Sequence, residues 1–426
     1  MQKLIVDGGK RLNGTIRIHG AKNSVLPVLA ATLLTNGQSI IHNCPHLSDV
    51  DCSVRILKNL GCKVKHVNSS VTVDSSNSDG FEIPDAMMRE MRSSIVFLGA
   101  IIARHGQARI SFPGGCELGP RPIDLHLDSL RQLGVIIEED HGFLHCKSNG
   151  RLNGAKITLS FPSVGATENI LLAACTAKGD TMILNAAREP EISDLADFLN
   201  SCGAKIHGAG GGTILINGVQ KLRPAEYTVI PDRIAASTFL AAAAATQGHL
   251  ILQDVIPAHL SPVIPVFEDA GCEIDIRGRE ISIIAPRRLQ SFKTVRTMPY
   301  PGFPTDAQAP VMAASTISDG TSIFIETIFE NRFKHAAELM RMGAHIKIEG
   351  RVAVVEGNNR RLWGVPVEAA DLRGAAALVI AGLAAEGTTE ITGLQYLDRG
   401  YERLEDLLSG VGASIKRKNI EEDIKK

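Results

Sequence analysis

Residues 60–64, Leu-Gly-Cys-Lys-Val, join the end of an amphipathic segment to a strand-like run, and the same arrangement returns at residues 342–346, Met-Gly-Ala-His-Ile. A glycine just after the last helical turn is the usual left-handed cap of a helix. The corresponding glycines are Gly61, Gly134, Gly203, Gly271, Gly343 and Gly412. Successive members are 73, 69, 68, 72 and 69 residues apart. This spacing predicts six tandem α/β units of about 70 residues each.

A second glycine in every unit follows a segment rich in alanine and leucine and precedes another strand-like run. These glycines are Gly37, Gly106, Gly179, Gly248, Gly320 and Gly387. The preceding segments are apolar on nearly all sides, which predicts buried helices. The predicted helices span residues 25–34, 95–103, 169–177, 234–245, 307–317 and 374–385.

Six units in a chain of this length predict two domains of three units each, with the boundary near residues 229–231. The units are larger than the repeats of open solenoids and have no low-complexity linkers between them, which favours closed globular domains. A cleft between two such domains is a common place for a ligand. We therefore expect the functional site in that cleft.

The composition of the 426 residues argues against nucleic-acid binding and indicates how the core is built. Lys and Arg number 45 against 46 Asp and Glu, so the net charge is -1 and lacks the basic excess typical of nucleic-acid binding. Hydrophobic residues make up 44% and aromatic residues only 4%. The core must therefore be built from Ala, Leu, Ile and Val.

The beginning of the chain lacks the long apolar region of a signal peptide, and no apolar run approaches the roughly 18 residues of a membrane span. We expect a cytoplasmic protein without a membrane partner. The eight cysteines form no CxxC pair and no His/Cys cluster at zinc spacing. They are predicted to be reduced thiols, and no metal site is expected.

The second unit is the longest of the six between its two glycines, because residues 112–122 add a loop with Pro, Gly and one thiol, Cys116. A cysteine is usually a small buried residue, as is expected of Cys175 among Leu and Ala. Pro-Gly-Gly beside Cys116 instead predicts an exposed and movable loop. Cys116 is therefore a candidate functional thiol.

Cations recur at the beginnings of the buried helices. Lys22, Arg92, Arg233 and Arg373 occupy corresponding positions in four units, and Asp306 takes that position in the fifth. A cation at a helix N-terminus opposes the helix dipole at a cost of about 0.3–1 kcal/mol, which a bound anion would offset. The alternatives are side chains that extend to solvent, or ion pairs with neighbours such as Asp232 and Asp371.

The loops that enter the amphipathic helices repeat this theme with arginines. They are Arg121, Arg188, Arg332 and Arg399. Lysines and arginines on corresponding loops of pseudo-symmetric units can converge on one centre. The residues predict a small substrate with several negative charges, with Cys116 and Asp306 available for proton transfer.

Nine motifs, spread over essentially the whole chain, resemble those of the enolpyruvyl transferase family, and in particular those of its members whose acceptor is UDP-N-acetylglucosamine. The motifs are Gly-Ala-Lys-Asn at 20–23, Met-Arg-Ser-Ser at 91–94, Pro-Gly-Gly-Cys at 113–116, Arg-Pro-Ile-Asp-Leu-His at 121–126, Ser-Val-Gly-Ala-Thr at 163–167, Phe-Pro-Thr-Asp at 303–306, Glu-Thr-Ile-Phe-Glu-Asn-Arg at 326–332, Asp-Leu-Arg at 371–373 and Asp-Arg-Gly-Tyr at 398–401.

The resemblance implies an inside-out α/β barrel in each domain, with buried Ala-rich helices and outer sheets. It implies an N-terminal domain of residues 22–230 and a C-terminal domain formed by residues 1–21 with 231–426. The implied reaction transfers the enolpyruvyl group of phosphoenolpyruvate to the 3-hydroxyl of UDP-N-acetylglucosamine and releases phosphate, the first committed step of peptidoglycan synthesis. No metal or organic cofactor is implied, and we expect a monomer.

The resemblance also implies roles for individual residues. The catalytic set is Cys116, Asp306, Lys22 and Arg399, with Cys116 as the proton donor that can form a phosphoenolpyruvate adduct and Asp306 as the candidate base. The phosphoenolpyruvate site is Lys22, Asn23, Arg121, Arg373 and Arg399. The nucleotide-sugar site is Arg92, Arg121, Pro122, Ile123, Asp124, Leu125, Ser163, Val164, Gly165, Asp306 and Ile328. Asp306 has the alternative reading of a helix N-cap.

The chain departs from the family pattern at two positions. Val96 stands where many members have an aromatic residue, and Phe161 stands where many have a lysine. Nucleotide packing and one phosphate contact are expected to differ as a result. Other hypotheses are a shikimate-type enolpyruvyl transferase, a catalytically weak regulatory paralogue and a repeat clamp on nucleic acid. The Gly-Gly-Cys loop argues against the first, retention of Lys22, Cys116 and Asp306 against the second, and the neutral charge against the third.

Overall fold

The computed structural model describes residues 2–112, 123–357 and 361–419. These residues divide into two units. We call residues 20–112 with 123–230 the N-terminal unit, and residues 2–19 with 231–419 the C-terminal unit. The chain begins with β1 (Gln2–Asp7) and β2 (Asn13–Arg17) of the C-terminal unit.

The N-terminal unit follows in chain order. Its elements are α1 (Lys22–Thr32), β3 (Gln38–His42), α2 (Ser48–Asn59), β4 (Lys63–Val67), β5 (Ser70–Asp74), β6 (Glu82–Ile83), α3 (Asp85–Glu90), a 3-10 helix (Arg92–Val96), α4 (Phe97–His105), β7 (Gln107–Ser111), α5 (Asp124–Gln132), β8 (Val135–Asp140), β9 (Phe143–Ser148), β10 (Lys156–Thr158), α6 (Val164–Ala174), β11 (Asp180–Leu184), α7 (Pro190–Ser201), β12 (Lys205–His207), β13 (Thr213–Asn217) and β14 (Glu226–Thr228).

In the described part of this unit the strands form three four-stranded sheets, in the orders β10-β11-β13-β12, β6-β7-β9-β8 and β14-β3-β5-β4. Each sheet begins with a parallel pair and continues with antiparallel neighbours. In the last sheet, the strand at the end of the unit lies beside a strand near its beginning, with Tyr227 opposite Ile41. The unit therefore contains the strands that complete its own sheets.

Helices α1, α4 and α6 are the buried helices of this unit. Gly99 on α4 shows how closely they approach, because a Cβ atom there would lie 2.4 Å from the carbonyl oxygen of Asn169 on α6. In α1 every residue except Asn23 is buried. Small residues in these helices allow the close contact, and the sheets cover the outside.

The C-terminal unit continues from residue 231. Its remaining elements are α8 (Arg233–Ala245), β15 (His249–Gln253), a 3-10 helix (Pro257–Leu260), α9 (Ile264–Asp269), β16 (Glu273–Arg277), β17 (Glu280–Ile284), β18 (Thr294–Arg296), α10 (Thr305–Ser315), β19 (Thr321–Ile325), α11 (His335–Arg341), β20 (His345–Glu349), β21 (Val352–Glu356), β22 (Pro366–Glu368), α12 (Leu372–Ala384), β23 (Thr388–Thr392), α13 (Leu394–Leu397), α14 (Leu404–Gly410) and β24 (Ser414–Asn419).

The sheets of the C-terminal unit repeat this topology in its described residues, with the orders β22-β23-β1-β24, β16-β17-β15-β2 and β18-β19-β21-β20. Strand β1 lies inside a sheet, where Leu4 faces Ile391 on one side and Arg417 on the other. Strand β2 pairs in parallel with β15, with Ile16 opposite Leu252. The first strands of the chain therefore complete sheets built from its second half.

Helices α8, α10 and α12 pack against one another in the core of this unit. Every residue of α8 is buried, including the run from Ala241 to Ala245. Because alanine occupies little space, such helices can approach closely without bulky aromatic side chains between them. The low aromatic content of the chain is consistent with this packing.

The glycines that define the repeat behave as the sequence predicts. The set that follows the amphipathic helices has φ between 88° and 101°, the left-handed region favoured by glycine. In the other set Gly248 is an exception, because the positive φ lies at Gln247. Gly248 instead permits a close approach, since a Cβ atom there would lie 2.5 Å from the Leu12 carbonyl oxygen.

The predicted α/β architecture of buried helices and outer sheets is confirmed, and its strands lie in separate small mixed sheets across the described residues. Five of the six buried helices begin one to five residues earlier than predicted, as at α6, which starts at Val164. The exception is α4, which starts at Phe97, two residues later than predicted, after a 3-10 helix that starts at Arg92. Polar residues such as Lys22 and Arg233 occupy these first turns. A prediction based on hydrophobicity alone therefore misses the polar first turn of these helices.

Candidate active site

The carboxylate of Asp306 lies between buried arginines of the C-terminal unit. Its Oδ1 accepts a hydrogen bond from Nη2 of Arg332 at 3.0 Å, and its Oδ2 accepts one from Nη2 of Arg373 at 3.0 Å. Each arginine is 2% exposed, whereas 28% of the Asp306 side chain is exposed. Charge-assisted hydrogen bonds of this kind hold Asp306 as a carboxylate with one side open to solvent.

The position of Asp306 on its helix corrects one expectation. Pro304 occupies the N-cap position of α10, and no side chain makes a capping hydrogen bond there. Asp306 lies in the first turn, where its negative charge favours the helix dipole. The reading of Asp306 as an N-cap is wrong, because its oxygens are directed to the guanidinium groups instead.

Arg373 retains unused hydrogen-bond donors. Its guanidinium carbon lies 5.4 Å from the centre of the Tyr401 ring, and the Tyr401 hydroxyl lies 2.8 Å from Oγ1 of Thr238. The Nε and Nη1 atoms of Arg373 are buried and have no hydrogen-bond partner among the described residues. Since buried donors are normally satisfied, this arrangement fits a group that binds an anion.

Asp371 caps α12, the helix that carries Arg373. Its Oδ1 accepts hydrogen bonds from the backbone N–H groups of Arg373 and Gly374, both at 3.0 Å. The alternative of an ion pair with a carboxylate holds for Arg373, but the carboxylate is that of Asp306 rather than that of Asp371. Asp232 caps α8 in the same way, through the N–H groups of Ile234 and Ala235.

The cations at the beginnings of the buried helices do not extend into solvent. Lys22 is 7% exposed, Arg233 8% and Arg373 2%, whereas Arg92 is half-buried. In the N-terminal unit, Nζ of Lys22 lies 2.6 Å from Oδ2 of Asp49, which is 2% exposed. Desolvating these charges is costly, so their retention needs partners or a ligand.

His126 occupies the centre of a polar group in the N-terminal unit. The side chain of Asn169 accepts a hydrogen bond from the Gly99 N–H at 2.6 Å, and its Nδ2 donates to the Ile95 carbonyl at 3.0 Å. That Nδ2 also lies 2.7 Å from Nδ1 of His126. Because the amide nitrogen can only donate, Nδ1 of neutral His126 accepts and Nε2 carries the proton.

Burial, and then the charge of Arg92, lowers the pKa of His126 to about 4. The ring lies against Gly165, where a Cβ atom would be 2.9 Å from its Cε1. Ser163 fixes the start of α6 beside it, because its Oγ accepts a hydrogen bond from the Ala166 N–H at 3.3 Å. The structure thus brings Arg92, Ser163 and Gly165 to one region around a neutral histidine.

Residues 6–408 match the family model described as EPSP synthase (3-phosphoshikimate 1-carboxyvinyltransferase). The chain belongs to this enolpyruvyl transferase family. The predicted family resemblance is thereby confirmed.

Curated relatives cover nearly the whole chain. UDP-N-acetylglucosamine 1-carboxyvinyltransferase 2 of Caldanaerobacter subterraneus subsp. tengcongensis is 54% identical over 417 residues, 98% of this chain and 100% of the relative. UDP-N-acetylglucosamine 1-carboxyvinyltransferase 1 of Symbiobacterium thermophilum is 50% identical over 421 residues, 98% of this chain and 95% of the relative.

Solved structures of enolpyruvyl transferases share the fold. The enolpyruvyl transferase NikO from Streptomyces tendae has a TM-score of 0.88 and 26% sequence identity, and the match covers 98% of each chain. An EPSP synthase from Acinetobacter baumannii has a TM-score of 0.74 and 19% identity, with 98% of this chain and 100% of the other covered. The second likeness concerns the fold alone.

Some residues suggested by the family resemblance lie outside the described residues. They are Cys116, Arg121 and Pro122. Their roles stay predictions.

The other predicted contacts belong to several elements. Asn23 is half-buried in the first turn of α1, and Arg399 is half-buried between α13 and α14. Ile123 is buried, Asp124 is exposed at the start of α5, and Leu125, Val164 and Ile328 are half-buried. Phe161, at the position where many family members have lysine, is 43% exposed.

Within the described ranges no group of three or more His, Cys, Asp or Glu side chains could hold a metal ion. The same residues contain no helix long and apolar enough to cross a membrane. The described cysteines are free thiols and buried.

Sequence reasoning missed several residues that shape the site. Four residues that contact predicted site residues or their neighbours were not themselves predicted, namely Asp49, His126, Asn169 and Glu326. A signal was available for His126 and Glu326, since both lie within the motifs that resemble the family, at 121–126 and 326–332. For Asn169 the surrounding run of Ile, Leu and Ala gave no indication of its partners.

Proposed function

We propose that this chain transfers the enolpyruvyl group of phosphoenolpyruvate to the 3-hydroxyl of UDP-N-acetylglucosamine and releases phosphate. The observation that carries the proposal is the 50–54% identity, over nearly the full length, to relatives named for this activity. The protein is then a transferase of peptidoglycan synthesis. Buried cations with unused donors support it, because both substrates are anionic.

The proposed reaction divides proton transfers between Cys116 and Asp306. Asp306 accepts the proton of the sugar 3-hydroxyl as the oxygen attacks C2 of phosphoenolpyruvate, and Cys116 delivers a proton to the CH2 carbon. In the elimination the roles reverse: the Cys116 thiolate takes a proton from the methyl group as the C–O bond to phosphate breaks, and Asp306 returns its proton to the leaving phosphate. This restores the double bond and both residues. A thiol near its ordinary pKa of about 8.5 becomes acidic enough for such exchange when cations lie close.

The cations hold the small anion. We assign the phosphate and carboxylate of phosphoenolpyruvate to Lys22, Asn23, Arg121, Arg373 and Arg399. Preorganised positive charge stabilises the charge that develops as phosphate leaves. The open Nε and Nη1 donors of Arg373 support its place in this set.

The nucleotide sugar has its own set of residues in this proposal. We assign to it Arg92, Arg121, Pro122, Ile123, Asp124, Leu125, Ser163, Val164, Gly165, Asp306 and Ile328. The group around His126 supports part of this assignment, because the charge of Arg92 acts on the His126 ring and that ring lies against Gly165. Exposed Phe161 offers no charge to a phosphate there.

Phosphate release tests the activity directly. Purified protein is incubated with phosphoenolpyruvate alone, with UDP-N-acetylglucosamine added, and with 3-phosphoshikimate added. We expect phosphate only with the nucleotide sugar. Release with 3-phosphoshikimate would favour the second acceptor, which the description of the matching family model suggests. No acceptor-dependent release would contradict the proposal.

Fosfomycin tests the role of Cys116, since it alkylates the corresponding thiol of the family. We expect it to abolish phosphate release by the wild type and to leave Cys116→Asp active. The matched control is Cys62→Ser, because Cys62 is buried, free and in the same unit. Mass spectrometry that found the adduct on another cysteine would contradict the assignment.

The proposed reaction also predicts the location, the oligomeric state and the cellular role of the protein. We expect a cytoplasmic monomer that acts in cell-wall biogenesis and hence in cell shape and division, and that binds neither nucleic acid nor membrane. No cofactor is expected. Size-exclusion chromatography with light scattering tests the monomer, since a single peak at 45.6 kDa is the expected result.

A further inference from the structure

Glu326 gathers hydrogen bonds from separate parts of the C-terminal unit. It directly follows β19 and is 1% exposed. Its Oε1 accepts from Oγ1 of Thr297 at 2.9 Å, from the N–H of Ile328 at 2.7 Å and from the N–H of Phe329 at 3.1 Å. Its Oε2 accepts from Oγ1 of Thr305 at 3.0 Å. Both oxygens of this buried carboxylate therefore have hydrogen-bond donors.

The donors belong to segments with proposed functions. Ile328 is assigned to the nucleotide-sugar site, and its backbone N–H makes the shortest of these contacts. Thr305 is the first residue of α10 and the direct neighbour of Asp306, the candidate base. One buried carboxylate thus connects the loop after β19 to the beginning of α10.

The beginning of α10 depends on such contacts more than its counterparts do. Helices α8 and α12 have capping aspartates, whereas Pro304 at the N-cap of α10 provides no side-chain hydrogen bond. The Thr305 hydroxyl is fixed by Glu326, and the Thr305 carbonyl accepts a hydrogen bond from Arg332 Nη2 at 3.0 Å. The orientation of the first turn, and of the Asp306 carboxylate on it, therefore depends on Glu326 and Arg332.

Moving a carboxylate from water into the protein interior costs free energy, and apolar side chains in its place would often make the folded protein equally stable. A buried network that is fully satisfied instead fixes one geometry. In a reaction that needs a base within about 3 Å of a hydroxyl, that geometry matters more than stability does.

We propose that Glu326 is a positioning residue of the transfer reaction, which orients Asp306 through the Thr305 hydroxyl and holds the backbone of Ile328 for the nucleotide sugar. The proposal rests on the proposed function, because that function gives Asp306 and Ile328 their roles. Glu326 itself does not touch the reacting atoms.

The test first removes the contact of Glu326 with Thr305 alone and then changes Glu326 itself. Thr305→Val deletes the hydroxyl but keeps the side-chain shape, and Thr305→Ser restores it. The matched control is Thr316→Val at the other end of α10, where the lost hydroxyl bonds only to the Ala313 carbonyl at 2.7 Å. Glu326→Gln weakens both sets of contacts, because its one amide oxygen is an uncharged acceptor and its NH2 group accepts no hydrogen bond.

We expect Thr305→Val to lower kcat by about tenfold or more, with the KM for UDP-N-acetylglucosamine within about twofold of the wild type, because displacing a base by a fraction of an ångström has effects of this size. Thr305→Ser and Thr316→Val should resemble the wild type. Glu326→Gln should lower kcat and also raise that KM. Urea unfolding of every variant confirms that it is folded.

Wild-type kcat in folded Thr305→Val would overturn the proposal, and so would equal losses in Thr305→Val and Thr316→Val. Amide hydrogen exchange provides a readout that does not depend on activity. We expect faster exchange at Ile328 and Phe329 in Glu326→Gln and unchanged exchange in Thr316→Val. If the wild type released no acceptor-dependent phosphate, the proposed function would fail, and unchanged exchange in Glu326→Gln would separately overturn the anchoring by Glu326.

Discussion

Individual residues of the site owe their chemistry to their neighbours. Asp306 is one of many acidic residues in the sequence, but Arg332 and Arg373 hold its two oxygens at a partly exposed position. His126 is made neutral by burial and by the nearby charge of Arg92, and Asn169 directs its remaining proton to Nε2. In both cases partners distant in sequence determine the contacts of the side chain.

The lowered pKa of His126 predicts a pH dependence of stability. Its pKa falls from 6.5 to about 4 in the folded protein, so between these values the unfolded chain binds a proton that the folded chain does not. The free energy of unfolding should therefore decrease as the pH falls from 6.5 towards 4, by at most about 1.4 kcal/mol per pH unit for this residue. Above pH 6.5 the contribution is constant.

Urea unfolding at several pH values, compared between the wild type and His126→Gln, measures this contribution. The variant should lose less stability on acidification than the wild type. The control is His207→Gln, because His207 is exposed on β12 and its replacement should leave the wild-type dependence unchanged. Parallel curves for the wild type and His126→Gln would contradict the prediction.

The buried helices share an apolar sequence pattern in their interiors, but they differ in how their N-termini are capped. Asp232 and Asp371 cap α8 and α12, Ser163 caps α6, and α10 begins without a side-chain cap. The helix interiors could be predicted from hydrophobicity. Their first turns could not, because charged residues there are stabilised by tertiary contacts.

The cap at Asp371 predicts a measurable stability difference. Asp371→Ala removes hydrogen bonds to the N–H groups of Arg373 and Gly374 and should lower the free energy of unfolding by about 0.5–2 kcal/mol. Asp371→Asn retains an oxygen that can cap and should lose less. Chemical denaturation of both variants tests this, and equal losses would show that the negative charge, rather than the cap, matters.

At the scale of the whole molecule, the N-terminal strands belong with the last part of the chain. Strand β1 lies between β23 and β24, and β2 lies beside β15. The N-terminal unit contains the strands of its own described sheets, because β14 returns to β3. Local sequence cannot show which distant sheet a terminal strand completes, since its alternation fits any partner of suitable register.

This topology predicts different behaviour for fragments. A fragment of residues 20–230 should unfold cooperatively in urea, whereas residues 231–426 should lack cooperative unfolding until a peptide of residues 1–19 is added. The reason is that β1 supplies hydrogen bonds to strands on both of its sides. Cooperative unfolding of residues 231–426 without the peptide would contradict the prediction.

The sequence by itself determined the repeated α/β units, the buried Ala-rich helices and the family, because glycine caps and apolar periodicity are local and recur along the chain. It also indicated Asp306 and Arg373 through the motifs that resemble the family. Only the tertiary structure decided that Asp306 meets Arg332 and Arg373, that Lys22 meets Asp49 and that Glu326 connects Thr305 to Ile328. These contacts join residues on different elements, and hydrogen bonds depend on distance and direction in space, which a linear pattern does not specify.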